Sequence, residues 1–293
     1  VSDRTVVVGV DLGEPSLAVA HWVASHLERP ERVVLTHVVS VPSPPKFLRA
    51  FYPPSDQFVE DARIGAEARM RDLAATLDGA SIRTEVRIGR PEQELAAAVS
   101  ASGARLLVVG PHAQRPGLAR LLGGTAERIA RHASSSLLLA RGLPAGAPAT
   151  VLLALDDSGL ADAMLAWGTW CARRFGARLV VLHVVPVGLA MTVVPGASAT
   201  ELERARQKLM ARAQEWLPGR LSAAGLDSAS TEVAFGDPGL EILSAVQRFG
   251  AGLLIIGRHG SGSSGGPFLG SVTEFLLRNG SAPVLVVADG PPD

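Results

Sequence analysis

The chain has 293 residues, 28 basic and 28 acidic side chains, a formal net charge of zero and 47% apolar residues. That balance offers no strongly basic face to a nucleic-acid backbone, and the single cysteine, Cys171, rules out an internal disulfide framework and a cysteine-based zinc site, so a reducing cytoplasm is the expected setting. No run approaches the roughly 18 apolar residues of a membrane span, and the opening VSDRTVVVGV lacks the basic-then-apolar layout of a signal peptide.

Taken in order, the apolar runs are short and β-branched, as buried parallel strands are. In the first half they are Thr5 to Val10, Arg32 to Val39, Ser81 to Ile88, Leu106 to Val109 and Leu137 to Ala140. In the second half they are Val151 to Leu155, Leu179 to Val185, Ser230 to Phe235, Leu253 to Ile256 and Val284 to Val287. Helical patterns lie between them, at Ser16 to His26 and Glu92 to Ser102, then at Ala161 to Phe175 and Leu240 to Phe249. Alternation of this kind predicts right-handed βαβ crossovers. The fold class is therefore α/β, with two tandem doubly wound, Rossmann-like domains, each built on a five-stranded, mainly parallel sheet. Thr200-Glu-Leu-Glu203 has the form of a helix capping box, and Pro91 and Pro238, each two residues after a glycine, read as structural. The longest irregular stretches, Val41 to Asp56 and Pro186 to Ala199, follow the second strand of each half, where long loops border sites or partner surfaces. Gly142 to Ala149, GLPAGAPA, reads as the linker.

The halves are copies. Asp11 and Asp156 lie 145 residues apart, as do Trp22 and Trp167; LTHVVSV at Leu35 matches VLHVVPV at Val181 with an offset of 146, and ARLLVVG at Ala104 matches AGLLIIG at Ala251 with 147. A period of this length is a whole domain. The expected domains are residues 1–143 and 150–289.

The densest chemical signal is Gly257-Arg258-His259-Gly260, then nine residues, then Gly270-Ser271-Val272-Thr273, directly after a strand. A strand ending in glycine, a loop and a Gly-Ser step opening a helix aim backbone N–H groups and a helix N-terminus at one point, which suits an anion. The first half carries a worn version, Gly110-Pro111-His112-Ala113 and then Gly123-Gly124-Thr125.

With V-x-x-D after the first strand, L-H-V-V in the second, G-x-P after the third, G-x2-G-x9-G-S after the fourth and PVLVV as the fifth, the chain resembles the universal stress protein family over nearly all of both halves. The resemblance implies ATP, with or without magnesium, as the ligand. In the second domain it would be held by Asp156 with the adjoining Ala154 and Leu155, by the Val184 backbone, and by Gly257, Arg258, His259, Gly260, Gly270, Ser271, Val272 and Thr273. In the first domain the corresponding residues are Asp11, Val38, Gly110, Gly123, Gly124 and Thr125. There Ala113 stands where the second glycine belongs and Gly124 where the serine belongs, unless a one-residue shift lets Gly124-Thr125 serve as the Gly-Ser/Thr step. A Cβ at Ala113 crowds a phosphate or forbids a left-handed backbone, so weak or absent binding is expected in this half.

Competing readings remain beside this one. Gly260 to Gly265 matches G-x-G-x-x-G, but the acid expected about 20 residues on would fall in the last strand, and no Walker A sequence exists. His37 and His183 read as structural, since no nucleophile or metal-ligand spacing accompanies them. His112, and His259 with Arg258, are either phosphate donors or solvated loop residues. Trp22, Trp167 and Trp170 read as packing residues, and Cys171 as a buried apolar one. With no positioned base and no clamping lysine, hydrolysis is expected to be slow or absent. The expected function is thus a nucleotide-binding, stress-response regulatory protein acting on an unidentified protein partner. The alternative is a nucleotide-free assembly protein using the apolar fifth strands, Leu137 to Ala140 and Val284 to Val287. An enzyme acting on a nucleotide-linked substrate would need catalytic residues that cannot be named. Apolar sheet edges invite pairing between halves or chains, and a homodimer is expected.

Overall fold

Valine, leucine and isoleucine runs four to nine residues long form the strands of a computed structural model that describes residues 5–27, 32–40, 56–77, 81–111, 128–131, 135–189, 198–260 and 269–291. Most of the two long irregular stretches, together with His112, Ala113, Gly123, Gly124, Thr125 and the interior of the glycine loop, lies outside the described residues. The chain divides into two units, the second beginning at Arg141.

In the first unit the order is β1 (Thr5–Gly9), α1 (Glu14–His26), β2 (Arg32–Val39), α2 (Asp56–Ala75), β3 (Ser81–Ile88), α3 (Pro91–Ser102), β4 (Leu106–Val109) and β5 (Ser136–Leu139). Its sheet runs β3-β2-β1-β4-β5, every pair parallel. The second unit contains β6 (Thr150–Ala154), α4 (Ala161–Phe175), β7 (Arg178–Pro186), α5 (Ala199–Ala223), β8 (Ser230–Gly236), α6 (Pro238–Phe249), β9 (Leu253–Gly257), α7 (Ser271–Asn279) and β10 (Val284–Val287). Its sheet runs β10-β9-β6-β7-β8, again all parallel. Each sheet reverses its direction of winding beside its first strand, between β1 and β4 and between β6 and β9. That reversal opens a crevice at the carboxyl ends of the strands.

The central strands are covered on both faces, so Val6, Val7, Val8, Leu152, Leu153 and Ile255 are wholly buried. Each such side chain contributes roughly 1.5–3 kcal/mol. The outer strand β3 is instead only partly covered, with no fully buried residue along it. Thr36 donates to Glu85, and Arg87 pairs with Glu85 and Glu94, charges that discourage further strand pairing along this edge. On β8 the corresponding pair is Glu232 with Arg248.

Pro91 and Pro238 open α3 and α6, where a missing N–H costs nothing. Trp167 is fully buried, its indole N–H donating to the Asp289 carbonyl at 2.7 Å; Trp22 and Cys171 are buried too, and burial pushes the Cys171 thiol upward. α4 stops at Gly176, whose φ of 63° an L side chain would resist.

The helix cap departs from the sequence reading. The capping box is Ser198 with Glu201, not Thr200 with Glu203: the Ser198 N–H donates to Glu201 at 2.9 Å and the Glu201 N–H returns to the serine hydroxyl. Both frames satisfy the S/T-x-x-E pattern, and the earlier one is used because the helix starts at Ala199, while Glu203 pairs with Arg206. The linker also differs from a bare tether. It belongs to the second unit, where Pro148 packs so closely on Gly252 that a Cβ there would lie 2.9 Å from it. No helix among the described residues is long and apolar enough to cross a membrane.

Candidate functional site

In the second unit, strand ends and one helix start converge on the crevice. β6 ends at Ala154, and the next residue, Leu155, is fastened to β7 by its N–H on the Leu182 carbonyl. The Leu155 carbonyl accepts from Nδ1 of His183 at 2.9 Å. A carbonyl only accepts, so Nδ1 carries the hydrogen and the ring is locked by the backbone beside it. This is the structural role read from the sequence, and His37 repeats it on the Val10 carbonyl at 2.7 Å in the first unit.

Beyond β9 the chain turns through Arg258, whose N–H meets the Val287 carbonyl. Its carbonyl takes the Gly270 N–H at 2.9 Å, and the buried Thr273 hydroxyl donates to the Gly257 carbonyl at 2.8 Å. These two bonds tie the ends of the glycine motif together, Arg258 to Gly270 and Gly257 to Thr273. Gly260 comes so close to Asp156 that a Cβ on it would sit 3.1 Å from the carboxylate. Helix α7 begins with Gly270 as its N-cap, which has no side chain to cap the first turn. The N–H groups of Ser271, Val272 and Thr273 therefore lack intrahelical acceptors at the positive end of the helix dipole.

These groups line a cavity of about 730 Å³. Of the residues expected from sequence, Ala154, Leu155, Asp156, Val184, Gly257, His259, Gly260, Gly270, Ser271, Val272 and Thr273 all border it. Arg258 does not; its side chain is half-buried elsewhere, and desolvation lowers its guanidinium pKa. The hydroxyl of Thr273 is committed to the scaffold, leaving its backbone as the part directed to a ligand.

Sequence reading missed one wall. Leu209, Arg212, Ala213 and Trp216 of α5 line the same cavity, and the Trp216 ring lies 4.9 Å from that of His183 at a 56° tilt. Their spacing is i, i+3, i+4, i+7, one face of a helix. The spacing marks a face but not what it meets; in the structure, at the same 147-residue offset, α2 places Ala62, Gly65, Ala66 and Arg69 against the first unit's cavity.

That first cavity, about 610 Å³, is bordered by Asp11, Val38 and Gly110, as expected; Gly123, Gly124 and Thr125 lie outside the described residues. Its chemistry differs. Asp11 is engaged by the next helix, accepting from the Gly13 N–H at 2.9 Å and the Ser16 hydroxyl at 2.5 Å. Leu12 has a φ of 62°, which costs a non-glycine residue roughly 1–2 kcal/mol, and its carbonyl accepts from Arg69 at 2.8 Å. Among the described residues no group of three or more His, Cys, Asp or Glu is placed to hold a metal ion.

The sequence profile of the universal stress protein family matches residues 4–141 and again 149–288. A universal stress protein of Mycolicibacterium smegmatis is 27% identical over 96% of both chains. A single-domain relative from Thermus aquaticus, named as a universal stress protein, is 33% identical over 47% of this chain and 97% of its own. The crystal structure of a universal stress protein from Archaeoglobus fulgidus superposes with a TM-score of 0.70 at 19% identity, covering 99% of this chain and all of the other, which shows a shared fold. The two halves of sequence and the two parallel sheets agree, and the chain belongs to the universal stress protein family as a tandem, two-domain member.

Proposed function

We propose that the second unit holds one adenine nucleotide, ATP with a magnesium ion, as a regulatory ligand that is hydrolysed slowly or not at all. The observation that carries the reading is the meeting of Asp156, Gly260 and the uncapped start of α7 at the sheet's switch point. The residues fit such a ligand: the space above Asp156 stays open because residue 260 has no Cβ, and the cavity has the volume of a nucleotide site. Asp156 would accept from ribose hydroxyls and the Val184 backbone would pair with the adenine edge. The N–H groups of Ser271, Val272 and Thr273, with His259, would take the phosphates. A magnesium ion carried by those phosphates needs only one or two carboxylates and water. Among the described residues the cavity is lined by no lysine, and His183 is held on a carbonyl, which favours retention over turnover. The bound nucleotide would bias the loop surface presented to a regulatory partner.

Acid release of small molecules from freshly purified protein, identified by mass spectrometry, should yield one ATP per chain. Two per chain would mean that the first unit binds as well. None, together with no heat on titration of ATP and magnesium, would replace this reading with a nucleotide-free assembly protein. The assembly is proposed to be a homodimer of tandem chains, and sedimentation equilibrium should return twice the mass of the 30.4 kDa chain; a monomer mass at micromolar concentration would refute the dimer.

A further inference from the structure

We propose that Trp216 is a ligand-contacting wall of the second cavity, a stacking platform for the nucleotide base that the first unit lacks. The inference rests on the nucleotide reading above. Trp216 stands on the α5 face that borders the cavity and is half-buried, so part of the indole surface is still open to solvent. Its orientation is set on one side by His183, whose ring is 4.9 Å away and is itself held by the Leu155 carbonyl. Val184, the residue whose backbone would pair with the base edge, follows His183 directly and borders the same cavity. An indole held by a fixed ring and facing a cavity is pre-ordered for a flat ligand, and such stacking needs no base-specific hydrogen bond.

The duplicated chain supplies an internal comparison. At the position of Trp216 the first unit has Arg69, which borders its cavity and donates to the Leu12 carbonyl at 2.8 Å. At the position of Arg212 it has Gly65, where a Cβ would meet nothing within 4 Å. One helix face, presented to two otherwise similar crevices, thus carries an indole and a guanidinium in the second and a glycine and a carbonyl-bound guanidinium in the first, so the indole is the difference between them. Arg212 is exposed, one turn before Trp216, and makes no hydrogen bond or ion pair with the described residues. Each cavity thus borders one arginine of this helix face, and the aromatic surface belongs to the second alone. The two units would therefore differ in ligand class for reasons beyond the glycine motif.

The test uses the full chain, stripped of nucleotide, titrated with magnesium ATP by calorimetry and by tryptophan fluorescence. Trp216→Ala should weaken ATP about tenfold or more, whereas Trp216→Phe should stay within about threefold of wild type, as expected for loss and retention of base stacking. The fluorescence change on binding should be present in the wild type and absent from Trp216→Phe, a signature of direct contact that a packing role would not produce. Should Trp216→Ala fail to fold, the Trp216→Phe signal decides alone. Wild-type affinity in Trp216→Ala, or an undiminished fluorescence change in Trp216→Phe, overturns the stacking role while leaving nucleotide binding standing. A wild type that binds no ATP overturns both.

Discussion

Replacing Gly260 with aspartate is expected to lower ATP affinity at least about a hundredfold while leaving the fold and its melting temperature almost unchanged. The Cβ alone would stand 3.1 Å from Oδ2 of Asp156, and the new carboxylate would place a second negative charge over the first. Like charges about 4 Å apart repel by on the order of 4 kcal/mol at the effective dielectric of a protein surface, before any phosphate is added. Gly260 is exposed, so in the unliganded chain the new carboxylate can rotate into solvent, where screening leaves little of that repulsion. Gly270→Asp reaches the same loss by another route. Residue 270 is the N-cap of α7 with extended backbone, where an aspartate would accept from the first-turn N–H groups and fill the anion position itself. It should weaken ATP while raising the melting temperature. Calorimetric titration with parallel thermal melts separates the two, and ATP affinity in Gly260→Asp equal to wild type would remove the glycine motif from the phosphate site.

The largest expected effect on stability is at Arg141. Its half-buried guanidinium donates to the carbonyls of Leu277 at 2.5 Å and Leu276 at 3.0 Å, and reaches that of Ala282 at 3.5 Å. Burial lowers the guanidinium pKa, yet the charge persists at any working pH and faces the negative end of the α7 dipole. Charged hydrogen bonds of this kind contribute about 1.5–3 kcal/mol each, less than additively when shared, so Arg141→Met should cost the second unit about 2–4 kcal/mol. For a unit of this size that is a fall of about 5–10 °C in its thermal transition. Because the chain has two units, hydrogen exchange of the α7 amides is the sharper readout. Unchanged protection there would show that the helix terminus needs no cap from outside itself. Arg141→Lys keeps the charge without the fork and should fall between.

The outline of the fold was legible because buried parallel strands announce themselves locally. Ser81–Ile88, Leu106–Val109 and Val284–Val287 run over the expected residues, and Ala161–Phe175 does so among the helices. The long helices were harder to read. α2 buries only Ala66, Met70 and Leu73 along twenty residues, so its apolar stripe is thin against a charged background. The cap of α5 could be framed from Ser198 or from Thr200 by the same local rule, and only the helix start separated them.

Amino-acid order by itself determined the duplication, the strand-helix alternation, the family and the glycine motif, since each depends on residues that are neighbours or lie at a fixed offset. Tertiary structure alone decided which side chains share a cavity. It brought Gly260 over Asp156, turned Arg258 out of the lining and carried Trp216 onto His183. The physical reason is that periodicity marks the face a helix will bury and is silent about the element it will meet, which depends on crossovers that bring distant segments to one edge of a sheet.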